Sequence, residues 1–317
     1  MSGAARIVSL LPGATEIVCA LGLSDRLVGI SHSCDAPAAV RDRPRLTRPR
    51  FSPAGRSSGA IDAAVRHALR AFGGVYEVDA GRLAALRPDL VFTQGVCQVC
   101  AVPVRDAERA AAALPGVAVV SLDAHDLEAV LDTVRTVARA AGVPRRGDTL
   151  ARTLRRRLDR VRAELHGVSR PRVLALEWLD PPFVPGHWVP EMITLAGGDV
   201  LRGRAAHPSF AVSWDELEVL DPDVLLVMPC GFDLARARAE ARRYGSRLAR
   251  VAPRAIRAGR AYALDASALT SRPGPRVVEG VELLAALFHP DRRSARRHDH
   301  RAYILGNSDL DGGDGAG

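Results

Sequence analysis

Four of the five cysteines are the residues whose type and spacing best suit chemistry. They are Cys34, Cys97, Cys100 and Cys230. Each follows a predicted strand, and carboxyl ends of parallel strands meet at one sheet edge, so we expect the thiols to share one cleft. A Cys-x-x-Cys pair suits one metal ion, and four thiolates form the ligand set of zinc or an iron–sulfur cluster. Two alternatives stay open: a redox disulfide between Cys97 and Cys100, and thiols that only fill core space.

A second group of candidate residues lies in and around the segment from 177 to 188. The candidate ligand-binding residues are Trp178, Asp180, Phe183, His187, Trp188, Phe210 and Arg272. Trp178, Phe183 and Trp188 can sandwich a flat ligand, while Asp180 and His187 orient it or bind a metal. We expect at least one of these aromatic rings to pack in the core instead. Arg272 can pair bidentately with a carboxylate or phosphate, or it can serve as a structural cap.

Three further histidines, His32, His125 and His207, are predicted to lie in loops. A lone loop histidine is more often solvated than functional. His32 is the strongest candidate of the three because it lies two residues before Cys34.

The composition is that of a globular protein and excludes several classes. A length of 317 residues predicts about two domains, and no apolar run reaches the ~18 residues of a membrane span. All 44 cationic residues are arginine and are spread along the chain, with only 4% aromatic residues, which argues against a nucleic-acid binder. No leader precedes the first strand, so the sequence as written predicts a cytoplasmic protein, or a periplasmic or cell-surface one if the start codon is mis-assigned.

The order of predicted elements indicates an α/β fold with two lobes. Short β-branched runs alternate with helical patterns, which is typical of parallel sheets. The predicted strands are residues 6–10, 27–30, 89–93, 117–121, 172–176, 223–228 and 260–264. Between the fourth and fifth strands, an apolar stripe from Leu150 to Leu165 predicts one long helix.

These elements predict two Rossmann-like lobes joined by a long α-helix, with a ligand cleft between the lobes. The predicted boundaries are 1–142 for the N-terminal lobe, 143–167 for the interlobe helix, 168–291 for the C-terminal lobe and 292–317 for a disordered tail. Residues 41–58 form a long predicted loop, which is either a lid over the cleft or a tolerated surface insertion. We expect a monomer.

Several short motifs occur in an order and spacing that are specific in combination. They are Ile7–Glu16, Asp180–Phe183, Leu195–Gly198, Val212–Asp215 and Ser271–Arg276. With these motifs the chain resembles the solute-binding proteins of the iron-chelate and cobalamin class that serve ABC importers. The segments Ser31–Asp35, Thr93–Cys100 and Met228–Asp233 resemble a cobalamin-binding subgroup of that family.

The resemblance implies a binder, not an enzyme, that holds a corrinoid or iron-chelate ligand in the interlobe cleft. It also implies docking onto a transporter permease through one surface acid per lobe. Only half of that pair is present, because Asp215 is an acid and the matching position in the other lobe is Gly81. Small residues at Ser33–Asp35 replace an expected aromatic ring. The alternative is a cytoplasmic metal or iron–sulfur protein on the same fold, either a binder or an enzyme, with the four cysteines as ligands.

Overall fold

The N-terminal part of the computed structural model is built on a parallel sheet, and the structure describes residues 5–96, 99, 102–293 and 299–310. Its elements are β1 (Ile7–Ser9), α1 (Pro12–Ala20), β2 (Leu27–Ile30), β3 (Thr47–Pro49), α2 (Ser58–Phe72), β4 (Tyr76–Val78), α3 (Ala80–Leu86), β5 (Leu90–Thr93), α4 (Val104–Ala111), β6 (Ala118–Ser121) and α5 (Leu127–Ala140). The sheet has strand order β2-β1-β5-β6, and all its pairs are parallel. Strands β3 and β4 form a separate antiparallel pair.

The C-terminal part repeats this plan with an added antiparallel sheet. The remaining elements are α6 (Pro144–Glu164), β7 (Arg172–Leu176), β8 (Trp178–Leu179), β9 (Pro182–Val184), α7 (Val189–Leu195), β10 (Asp199–Val200), β11 (Phe210–Ala211), α8 (Trp214–Glu218), β12 (Val224–Val227), α9 (Leu234–Arg243), α10 (Gly245–Val251), α11 (Pro253–Arg257), β13 (Ala261–Leu264), α12 (Ala266–Leu269), α13 (Val277–Phe288), β14 (Ala302–Ile304) and α14 (Asn307–Leu310). The main sheet has order β10-β7-β12-β13-β14, and β11-β9-β8 forms a three-stranded antiparallel sheet. The predicted two-lobed α/β fold is confirmed.

Helix α6 joins the two lobes as one rod. Pro144 opens it, where a missing backbone N–H costs nothing, and its 21 residues span about 32 Å. Leu154, Leu158 and Val161 of the predicted stripe are buried. They belong to one apolar cluster that also contains side chains of α5, α7 and α13. Because this core runs through both lobes, the lobes are joined by packing as well as by the chain.

Helix α2 leaves the N-terminal lobe and packs on the C-terminal one. Ser57 caps it by accepting a hydrogen bond from the Ala60 N–H, and Gly73 ends it in a left-handed conformation. Its apolar residue Ile61 is buried in a cluster with strand residues of the C-terminal lobe, including Leu174. The segment before it, predicted as a long loop over 41–58, contains strand β3, which pairs with β4, and its Pro53 carbonyl accepts a hydrogen bond from Arg236 of the C-terminal lobe.

The described part of the tail is ordered, which corrects the prediction of disorder over 292–317. Strand β14 pairs antiparallel with β13 and covers the edge of the main sheet. Leu305 and Leu310 are buried, and the buried Asp309 carboxylate accepts hydrogen bonds from Arg238 and Arg242. The apolar residues here are too few and too close together to produce a readable period, and an edge strand gains its stability from the sheet it covers.

Candidate functional site

The two lobes meet where loops at the carboxyl ends of their strands face each other. Glu16, on the helix after β1, is buried at 7% exposure and accepts a bidentate ion pair from Arg276 of the other lobe, at 2.9 and 2.5 Å. Arg272 donates to the Asp35 carboxylate at 2.5 Å and to the Ser33 carbonyl at 3.1 Å. These charge-assisted bonds hold the two sides of the cleft in register.

Arg272, predicted to bind an anionic ligand, is occupied by protein groups. Besides Asp35 and Ser33, its guanidinium lies 3.5 Å from a Glu16 oxygen and donates to Ser267 at 2.8 Å. Burial acts to raise the pKa of Asp35, but the hydrogen bond and charge of Arg272 outweigh it and lower that pKa. The arrangement matches the alternative of a structural role, in which Arg272 links the lobes.

Trp178 and Asp180 lie against the start of helix α2. The Trp178 indole N–H donates to the Ser58 carbonyl at 3.2 Å, and its ring meets Phe232 edge-on at 5.3 Å. The Asp180 carboxylate accepts from the Tyr244 hydroxyl at 3.1 Å. Both predicted site residues therefore lie beside the start of α2, where Gly59 approaches Asp180 so closely that a Cβ would lie 2.3 Å from its oxygen.

Trp188 is a core residue. Its side chain belongs to the interlobe apolar cluster at 8% exposure, and its indole N–H donates to the Thr270 carbonyl at 2.8 Å. The aromatic sandwich expected from Trp178, Phe183 and Trp188 is not formed, because two of the three rings have other partners.

Phe183 and Phe210 remain half-buried on the three-stranded sheet. Phe183 lies opposite Trp178 on one side and Ala211 on the other, and Phe210 is paired with Val184. Because side chains alternate along a strand, the two rings lie on opposite faces of this sheet, and Phe210 packs against the apolar cluster of the C-terminal lobe.

The predicted cysteine cluster is not assembled by the described residues. Cys34 is fully buried, and its sulfur lies 3.1 Å from the Thr15 hydroxyl. Burial raises the pKa of this thiol. Cys230 is half-buried, and its N–H donates to the Glu177 carbonyl. Cys97 and Cys100 lie outside the described residues, and within the described ranges no three His, Cys, Asp or Glu side chains group as a metal site.

Histidines appear in two different settings. His32, the loop histidine favoured by the sequence, packs against Tyr76 and contacts the Thr47 hydroxyl at 2.7 Å. Burial, with a smaller effect of the Arg45 charge, lowers its pKa to about 4. His187 instead faces His125 of the other lobe, with ring centroids 6.1 Å apart.

Sequence reasoning missed the contacts between lobes. In the sequence, Glu16 and Arg276 were recognised only as members of short motifs, with no partner assigned. Ser58 contacts Glu240 and Tyr244, which lie 182 and 186 positions further along the chain. The one available signal was that Glu16 and Arg276 belong to the short motifs read from the sequence.

The chain belongs to the periplasmic binding protein family, which matches residues 7–268. It is 24% identical over 284 residues to the vitamin B12-binding protein of Vibrio cholerae, covering 88% of this chain and 87% of that protein. It is also 24% identical to an ABC transporter substrate-binding lipoprotein of Bacillus subtilis, covering 90% and 80% of the two chains. A periplasmic heme-binding protein of Pseudomonas aeruginosa has a similar structure, with 25% identity, a TM-score of 0.69 and coverage of 92% and 94%.

The family relation makes this a solute-binding protein with a small-molecule ligand, and the cysteine-ligated metalloprotein is not favoured. The expectation of a cytoplasmic protein is wrong. The family is one of periplasmic proteins and a relative is a lipoprotein, which points to a location outside the cytoplasm. Within the described residues, no helix is both long and apolar enough to cross a membrane.

Proposed function

We propose that this protein binds a corrinoid or an iron chelate such as haem in the cleft between its lobes. The observation that carries the proposal is the family match over residues 7–268, together with a vitamin B12-binding relative that aligns with 88% of the chain. Rigid joining of the lobes through α6 supports a preformed cleft, since little conformational entropy is then lost on binding.

The residues proposed to contact the ligand are fewer than the sequence predicted. Phe183 offers an apolar surface suited to a flat macrocycle, and His187 lies on the side that faces the N-terminal lobe. Phe210 lies on the opposite face of the three-stranded sheet, with the buried Val184, and is left out of the proposed contacts. Trp178 and Asp180 act by positioning α2, and Arg272 acts by linking the lobes.

The test is a titration of the full chain with cyanocobalamin, dicyanocobinamide and haemin, followed by tryptophan fluorescence and calorimetry. We expect one of them to bind with a Kd below about 10 μM, which corresponds to about −7 kcal/mol. Phe183→Ser should weaken that binding, whereas Val219→Ser, at the 81% exposed position that follows α8, should leave it unchanged. Failure of all three ligands to bind would refute the proposed ligand class.

We further propose delivery of the ligand to a transporter permease with one acidic contact instead of two. Asp215 is exposed in the first turn of α8, whereas Gly81 in the first turn of α3 offers no side chain. Co-purification of this protein with the permease from the same organism tests the docking. The Asp215→Ala variant should no longer co-purify with the permease. Unchanged co-purification of that variant would contradict docking through this acid.

A further inference from the structure

Two imidazole rings face each other across the boundary between the lobes. His125 lies in the loop between β6 and α5, and His187 lies in the turn before α7. Their ring centroids are 6.1 Å apart and their planes are inclined by 44°. His125 is exposed and His187 is half-buried.

Two hydrogen bonds next to His125 fix the position of its loop. Asp126, next to His125, caps α5 by accepting from the Ala129 N–H at 2.7 Å. The next N–H, of Leu127, donates across the lobes to the Glu191 carboxylate at 2.6 Å. This bond fixes the start of α5 against the first turn of α7, and so fixes the approach of one ring to the other.

His187 adopts a left-handed backbone conformation. Its φ is 51°, a value that is uncommon for residues other than glycine, although histidine adopts it more often than most. Two hydrogen bonds with residues of the following loop hold it there: its N–H donates to the His207 carbonyl at 2.6 Å and its carbonyl accepts from Ala206. Such a conformation is found where the surrounding structure imposes it, commonly at functional sites.

The His187 ring is prepared to act as a ligand. Its Nδ1 is buried without a hydrogen-bond partner among the described residues. A neutral imidazole with an unused nitrogen lone pair is the ligand that zinc, copper and nickel prefer.

We propose that His125 and His187 bind one divalent late-transition-metal ion between them, which cross-links the two lobes beside the cleft. A metal ion bonded to one nitrogen of each ring at about 2.0–2.1 Å can hold the ring centroids up to roughly 6 Å apart, and the centroids here are 6.1 Å apart. Water or a donor atom of the cleft ligand fills the remaining coordination positions. The site needs neither the cysteines nor any particular cleft ligand, so it stands independently of the proposed function.

The experiment titrates the untagged, ligand-free full chain with Zn²⁺ and Ni²⁺ by calorimetry at pH 7.5, and records the Cu²⁺ electron paramagnetic resonance spectrum. The variants are His125→Asn and His187→Asn, because asparagine tolerates the left-handed conformation at 187. His67→Asn, at an exposed position on α2, is the matched control.

We expect His125→Asn and His187→Asn each to bind the ion at least about tenfold more weakly than wild type. Losing only a residue that supports a metal ligand already lowers affinity by that factor. The double variant should be no worse than either single variant, because one missing ring already breaks the bridge. The copper spectrum should change from two nitrogen ligands to one in each single variant, and the control should behave as wild type. Equal affinity in wild type and both single variants, or an effect of only one of the two, would overturn the proposal.

Discussion

The ion pairs at Glu16 are expected to contribute more to stability than any surface ion pair of this chain. The Glu16, Arg276 and Arg272 side chains are 6%, 17% and 10% exposed. Glu16→Gln preserves the shape of the side chain but leaves two guanidinium groups buried with less compensation. Breaking a buried ion pair in this way costs about 3–5 kcal/mol. At the usual unfolding entropy per residue, a chain of 317 residues should lose about 4–8 °C in Tm.

The assay is urea unfolding of wild type, Glu16→Gln, Arg276→Met and the double variant. The double variant should be at least about 1 kcal/mol more stable than the sum of the single losses predicts, because it removes both members of the pair. Asp159→Asn is the matched control, since Asp159 is 52% exposed and its pair with Arg162 is 3.8 Å long; it should cost less than about 1 kcal/mol. A loss below about 1 kcal/mol for Glu16→Gln would refute the reasoning that this pair clamps the lobes.

The remaining predictions concern a titrating histidine and two glycines. The pKa of His32 is lowered from 6.5 to about 4, so the unfolded chain binds the extra proton first and stability falls as the pH drops from about 6.5 to 4. Urea unfolding should show a loss of about 2 kcal/mol between pH 7 and 5 that is absent in His32→Gln, and an equal loss in that variant would contradict the assignment. Gly59→Ala should lower the free energy of unfolding by about 1–3 kcal/mol, because the added Cβ would lie 2.3 Å from an Asp180 oxygen and would push α2 away from its packing position. Asp180→Ala should restore the resistance of α2 to limited proteolysis in the Gly59→Ala background, and no rescue would exclude this clash as the cause. Gly81→Glu should raise stability by about 1 kcal/mol, since a Cβ there meets only Asp79 at 3.6 Å and an acid suits the first turn of a helix; a lower urea midpoint would contradict this.

The sequence alone was sufficient for the fold class, for the interlobe helix and for the family. Short β-branched runs predicted the parallel strands because residues buried on both faces of a sheet must be apolar. The stripe through Leu154 and Leu158 predicted α6 because helical periodicity is written in the sequence itself. These are local signals, and each is read within a window of one element.

The partners of the candidate site residues were decided by the tertiary structure. The sequence placed Trp178 and Trp188 in one cleft, but α2 covers the first and the interlobe core buries the second. Aromatic type and loop position do not say which neighbour a ring meets. In the same way, Arg272 was expected to bind a ligand anion, whereas residues more than 230 positions away in the chain occupy its guanidinium.

The difference between what the sequence predicts and what the tertiary structure decides has one physical cause. Periodicity, capping residues and turn residues determine which face of each element is apolar, and this the chain carries by itself. Which element covers that face depends on packing between segments distant in sequence, as for Ile61 of α2 on the C-terminal sheet, β14 on the edge of β13, and His125 opposite His187. Elements, fold and family were therefore legible in the sequence, and the geometry of the cleft was decided only when the two lobes came together.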